Sequence, residues 1–525
     1  MRAGLSRRGF LGVGAAALAG VGGLAAGTPY LGRLLEPGQP GLLLPSRAPL
    51  PRPFQAELPV PPVLAPVRSD ATTDYYEITQ RPALLQILPG LTTEAWTYQG
   101  SYPGPTLRSS SGRRTVVTHS NQLPHPTVVH LHGGHTPTDS DGYPTDLIHP
   151  AGGDTDGTSG MAGMAGLAGM DTGDGKTQRT YTYPLDQRAT TLWYHDHRMG
   201  FTAPNVWHGL AGFHLVTDAE EAALPLPQGE RDLPLMISDR SFAADGSFAY
   251  PALDAAQETP GVTGPYMDGV LGDVILVNGA PWPVLRADRA RYRLRLLNAS
   301  NARRHQLALS PQPPGGGALV QVGSDVGLLG APLAHDAIEI AQAERFDVVV
   351  DFSRYRPGEL VTLTNGFGAG NTGQVMQFRV GGAASDDTSV PAALAEYRAL
   401  RRSDAVATRS FDFADVDGVW KVNGQEFDPA AFAAEPRAGT TEVWRFVTDF
   451  HHPIHLHAAH FQVLTRNGKA PGAYDAGWKD TVDVLPAEEV EVLVRFPQLT
   501  GRYVFHCHNL EHEDMAMMAN FRLVG

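Results

Sequence analysis

Short runs in which apolar and polar residues alternate, each closed by Gly, Pro, Asn or Asp, recur from about residue 72 to the C-terminus and decide most of what this chain can fold into. Runs at 114–119, 292–297, 343–352 and 490–496 have the period of two that a half-buried strand requires. No long stretch holds a helical period; the exceptions are short loop-like pieces such as 392–400. With 58 glycines and 42 prolines the chain is rich in turn formers. The expectation is an all-β protein of sandwiches or barrels.

The chain has 525 residues, enough for about three such units. Unit one is read at 71–220, unit two at 228–382 and unit three at 403–525, with a Gly/Ala/Ser/Asp linker at 381–389. Within unit one, 151–176 is rich in Gly, Asp, Thr and Met and reads as a flexible surface insertion. The formal net charge of −14 argues against nucleic acid and anionic membranes as partners. Ser6, Arg7, Arg8, Gly9, Phe10 and Leu11, followed by an apolar run of small residues, match a twin-arginine export signal over 1–27. The expected location is periplasmic, cell-envelope or extracellular, with no stable membrane association after signal cleavage. The Pro- and Leu-rich stretch 28–70 is read as a linker or extended arm outside the catalytic fold.

Ten of the 20 histidines fall in four places. They are His130-Leu131-His132, His195-Asp196-His197, His452-Pro453-Ile454-His455-Leu456-His457, and His506-Cys507-His508 with His512 following. A single His-x-His is weak evidence, but four together, one enclosing the only cysteine, point to metal. Imidazole and thiolate are donors that suit copper. On a strand, His506 and His508 share one face and Cys507 takes the other, so one strand can serve two sites. His455 and His457 share a face, and His452 can turn to the opposite one. One site then collects His452, Cys507, His512 and a weak axial Met517, the blue-copper donor set. Met515 and Met518 are alternatives in register for the axial position. The other eight histidines, 130, 132, 195, 197, 455, 457, 506 and 508, are too many for one ion and match a cluster of three.

This pattern strongly resembles the multicopper oxidases, over nearly everything from residue 72 onward. Tyr102-Pro103-Gly104-Pro105, 296–301 and Val422-Asn423-Gly424 are similar to family positions, and 130–134 followed by Asp139-Ser140-Asp141-Gly142 looks most like the spore-coat laccase, bilirubin oxidase and phenoxazinone synthase group. The resemblance implies three cupredoxin-like (Greek-key β-sandwich) domains, with the second a spacer that shapes the substrate face. It implies four copper ions. His452, Cys507, His512 and Met517 would hold type 1; His130 and His455 type 2; His132, His195 and His508 one type 3 ion; and His197, His457 and His506 the other. Electrons from a small-molecule reductant (phenols, aromatic amines or metal ions) would enter through the exposed edge of a type 1 histidine, pass along Cys507 and reduce dioxygen to water. Glu513 and Asp141 are the carboxylates expected to serve the proton side of that reaction, and Asp480 is a further candidate for orienting imidazoles.

The enzyme is expected to act as a monomeric laccase. The alternatives are a metallo-oxidase acting on Cu(I) or Mn(II) and a non-catalytic exported binding protein of the same fold. Met161, Met164 and Met170 in the insertion favour copper handling only modestly. A copper nitrite reductase would need fewer histidines. His119, His135, His305 and His460 are read as structural.

Overall fold

The computed structural model describes residues 38–152 and 175–525. The twin-arginine segment, the start of the arm, and Met161, Met164 and Met170 lie outside the described residues. Among the described residues no helix is long and apolar enough to cross a membrane.

The protein is all-β and cupredoxin-like, with three pairs of facing sheets, each closing on its own apolar core. The runs read at 114–119, 292–297 and 490–496 lie in the strands Arg114–Asn121, Arg291–Asn298 and Glu489–Arg495. Of 343–352, the strand takes Arg345–Asp351. In the second unit, strands such as Val274–Val277 and Arg345–Asp351 are buried almost throughout, because both faces of the sheet are covered. That is why Val274–Val277 reads as a continuous apolar run rather than an alternating one.

The arm is not outside the fold. Leu42–Leu44 adds a parallel strand beside Val270–Gly272, and further on Glu57 bridges Val284 and Val63 bridges Thr106. It straps units one and two together. Extended, proline-rich chain has few hydrogen bonds of its own, so it is held by lending them to neighbouring strands.

Strand register brings the four histidine motifs together. In unit one, Val129–His132 pairs antiparallel with Thr190–Asp196, setting His130 opposite His195. In unit three, His452–Leu456 pairs with Gly501–Cys507, setting His455 opposite His506 and Ile454 opposite Cys507. Each unit thus offers one cross-strand pair of histidines, and the two pairs face each other.

Candidate metal centre

His452, Cys507 and His512 converge in the core of unit three, all 0% exposed. His452 Nδ1 lies 3.4 Å from Cys507 Sγ, His512 Nδ1 lies 3.7 Å from it, and the two nitrogens are 3.1 Å apart. A point equidistant from the three atoms sits about 2.0 Å from each, close to the bond lengths of a first-row metal to imidazole and thiolate. Burial pushes the Cys507 thiol well up; a bound metal would hold it as thiolate instead. Met517 is fully buried in the same apolar cluster as Cys507, and its carbonyl accepts from the Cys507 amide at 3.1 Å. Met518 packs in a different cluster, with Tyr143 and Met199. Met515, half-buried, packs against the edge of the Cys507 cluster, so of the three methionines only Met517 is fully buried within it.

The expectation of an exposed histidine edge is overturned. Trp420 stacks on His512 with ring centroids 3.9 Å apart and meets His452 edge-on at 5.4 Å. His512 Nε2 lies 3.2 Å from Asn509 Nδ2. Trp420, itself 4% exposed, is tied to Met267 O through its indole N–H. The strand Trp420–Val422 forms a hairpin with Thr408–Asp415 and carries the ring over the site.

The other eight histidines form one nest between units one and three. His197 Nε2 and His457 Nε2 each lie 3.2 Å from His506 Nε2, and His130 Nε2 lies 3.4 Å from His455 Nε2. Three all-histidine groups in the nest, which share His130 and His457, could each hold an ion: His130 with His132 and His195, His130 with His455 and His457, and His197 with His457 and His506. The ring of His508 lies 5.1 Å from that of His132 and 5.3 Å from that of His195. His132 Nδ1, His195 Nε2, His197 Nδ1 and both His508 nitrogens are buried without any hydrogen-bond partner. Buried polar atoms are almost always satisfied, so unpartnered nitrogens on His132, His195 and His508, beside rings that point their Nε2 atoms at one another, fit a metal cluster. The covalent sequence His506-Cys507-His508 joins the nest to the Cys507 site.

Two residues outside the motifs orient the rings. Asp141 accepts from His130 Nδ1 through its carbonyl at 2.6 Å and from His457 Nδ1 through its carboxylate at 2.8 Å. Its position depends on Gly142, at φ +77, where a Cβ would come within 2.1 Å of Val129 O. Asp480 repeats the arrangement, with its carbonyl 2.9 Å from His455 Nδ1 and its carboxylate 3.1 Å from His132 Nε2. Anchoring one ring nitrogen fixes the tautomer and leaves the other for a metal.

The two carboxylates differ in their surroundings. Burial pushes Asp141 up to about 8. Burial also opposes ionisation of Asp480, but the Arg345 guanidinium wins and holds its carboxyl down to about 2.

Glu513 lies on the short helix Leu510–Asp514, whose successive side chains reach different places. Glu511 accepts from Tyr250, Asn301 and the Val270 amide of unit two. His512 turns to Cys507. Glu513 sits 3.0 Å from His506 Nδ1 and 3.6 Å from His197 Nε2, with neither oxygen in a hydrogen bond. Asp514 caps the amides of Thr202 and Ala203 in unit one. Burial opposes ionisation of Glu513, yet the neighbouring His506 and His197 keep its carboxyl below the usual range.

Sequence reasoning missed Arg345, Trp420, Glu511 and Asp514. None belongs to a histidine motif, and each matters only through a partner distant in the chain.

The comparisons with known proteins agree with this geometry. Family models described as multicopper oxidase match residues 81–154, 143–221 and 400–524, the two units that carry the histidines. A laccase of Bacillus stratosphericus is 36% identical, covering 89% of this chain and 98% of its own length. Bilirubin oxidase of Albifimbria verrucaria is 33% identical, covering 89% and 81%. The crystal structure of a laccase from Pediococcus acidilactici superimposes with a TM-score of 0.78 at 31% identity, covering 92% of this chain and 96% of that one. With its histidine and cysteine donors folded into two adjoining nests in the same units that the family models match, this chain belongs to the multicopper oxidase family of copper-dependent oxidoreductases.

Proposed function

We propose that this enzyme is a laccase-type oxidase with four coppers, coupling one-electron oxidation of phenols or aromatic amines to the four-electron reduction of dioxygen to water. The observation that carries it is the pair of buried donor sets joined through Cys507: a His452–Cys507–His512 triangle and a nest of eight histidines. Bound copper would supply electron transfer at the first set and dioxygen binding and reduction at the second.

In this reading His452, Cys507, His512 and Met517 hold the type 1 ion. His130 and His455 hold type 2, His132, His195 and His508 one type 3 ion, and His197, His457 and His506 the other. Segregated sites let a one-electron donor feed a four-electron reaction. The residues supply orientation, exclusion of water and protons. Asp141 and Asp480 fix imidazole tautomers. Glu513, held between His506 and His197, is placed to pass protons towards the nest, and Asp141 is the second proton carrier.

A metal ion is the second reading for the reductant. Asp449 Oδ1 lies 3.4 Å from His452 Nε2, Asp449 also accepts from the Asp415 amide, and the Asp415 charge adds to burial in raising the Asp268 carboxyl. These carboxylates beside the type 1 donors favour a cationic donor such as Cu(I) or Mn(II). We further propose that the protein acts as a monomer and is exported by the twin-arginine route.

The test is oxygen uptake by the copper-loaded protein with a methoxyphenol and with Cu(I), side by side, together with a copper count. Four coppers per chain and faster uptake with the phenol support the laccase reading. Faster uptake with Cu(I) replaces it with the metallo-oxidase. Fewer than four coppers in a fully active protein refutes the assignment of ligands.

A further inference from the structure

The second unit contributes no histidine to the nest, and by sequence it reads as a spacer. One of its side chains nevertheless reaches the nest's wall. Arg345, at the head of the strand Arg345–Asp351, is 1% exposed, and all five of its N–H groups are used. Nε donates to Thr191 O of unit one at 3.0 Å. One terminal nitrogen donates to Ala343 O and to Asp480 Oδ1, each at 2.8 Å. The other donates to Asp325 O at 2.9 Å and to Asp480 Oδ2. The guanidinium therefore grips both carboxylate oxygens of a unit-three residue while bonded to units one and two.

Asp480 is 0% exposed. A buried carboxylate stays ionised and fixed in direction only if it is paired. The space beside it is closed on the unit-one side by Gly133, where a Cβ would stand 2.5 Å from Asp480 Oδ2 and 2.8 Å from Arg345. So held, Asp480 Oδ1 faces His132 Nε2 at 3.1 Å, and Thr481 Oγ1 donates to the same oxygen at 2.9 Å. His132 must then carry its proton on Nε2. Its Nδ1 lone pair, buried and unpartnered, is left for a metal.

We propose that Arg345 is a positioning residue of the trinuclear site: through Asp480 it fixes the tautomer and direction of His132 and, by the Asp480 carbonyl, of His455. This rests on the ligand roles proposed above. A lysine could keep the charge but has no planar fork for two oxygens and cannot reach all five acceptors.

The test uses full-length protein loaded with copper. Parent, Arg345→Lys and Asp480→Asn are challenged with graded chelator. Retained copper, the type 2 EPR signal and the blue type 1 absorption are followed together. Both variants are expected to keep the blue absorption, to release the remaining copper at about 10- to 100-fold lower chelator, and to show an altered type 2 spectrum. Parental copper retention with a superimposable EPR spectrum overturns the proposal. If Arg345→Lys alone loses its blue absorption, it has failed to fold and Asp480→Asn decides. Loss of the blue absorption in both variants also counts against the proposal, because Arg345 would then hold the units together rather than the histidines. His455→Ala is the control for the underlying reading. If that variant too keeps all its copper and the parental EPR spectrum, the ligand assignment has failed independently of Arg345.

Discussion

Removing copper should destabilise units one and three and spare unit two, and the structure sets the size of the effect. Three imidazole nitrogens that can face an ion are buried without a partner: His132 Nδ1, His195 Nε2 and one nitrogen of His508. An unsatisfied buried polar atom costs about 1–3 kcal/mol, so together they penalise the metal-free fold by about 3–9 kcal/mol. Water entering the nest lowers that figure, so it is an upper range. Copper bound by the folded state but poorly by the unfolded chain relieves the penalty and adds its own binding free energy. For units of this size about 1 kcal/mol moves a melting point by roughly 2–4 °C, so loaded and stripped protein should differ by about 6 °C or more. Differential scanning calorimetry resolves the units, because a protein of three cores need not melt as one. The transition of unit two, whose core has no member of the nest, should stay in place while the others fall on chelation and recover on reloading. Superimposable scans of the two forms would refute the reasoning, and so would a shift confined to unit two.

Three further outcomes are expected. Glu513→Gln should lower turnover by about 10²- to 10⁴-fold, the usual range for a lost proton-transfer group, without changing the blue absorption; stopped-flow reduction of the type 1 site alongside steady-state oxygen uptake separates the two. Trp420→Leu should lower the type 1 potential in a redox titration, because unstacking the ring from His512 lets water reach a site now closed to it. Asp232→Asn in unit two should destabilise at neutral pH by less than the about 3–5 kcal/mol of a fully broken buried pair, because Arg295 keeps Glu221 at 3.1 Å. Burial opposes ionisation of Asp232, but Arg295 holds its carboxyl below the ordinary range. The pair's stabilisation is therefore fully present above pH about 4 and lost as pH falls below it, and urea unfolding should show parent and variant converging in acid.

The amino-acid sequence by itself determined the all-β architecture and the donor chemistry. Both are local. A period of two along a strand decides which face a residue takes, and His506-Cys507-His508 cannot help presenting two imidazoles one way and a thiolate the other. The donor types are likewise independent of folding, so copper was legible from four short motifs and Cys507.

Tertiary structure alone decided what surrounds those donors. Arg345 lies in an apolar strand run, and nothing local separates it from Arg293 or Arg295, which pair with carboxylates of their own region. Its role appears only when a strand of unit two meets Asp480 across 135 residues. Trp420 reads as an ordinary core aromatic until strand pairing lays it on His512 and closes the face that sequence reasoning left open. The arm 38–70 has no periodicity because its hydrogen bonds go to strands of other units. Donors follow from residue type and spacing, whereas tautomers, charge states and access follow from partners hundreds of residues away, which only packing brings within reach.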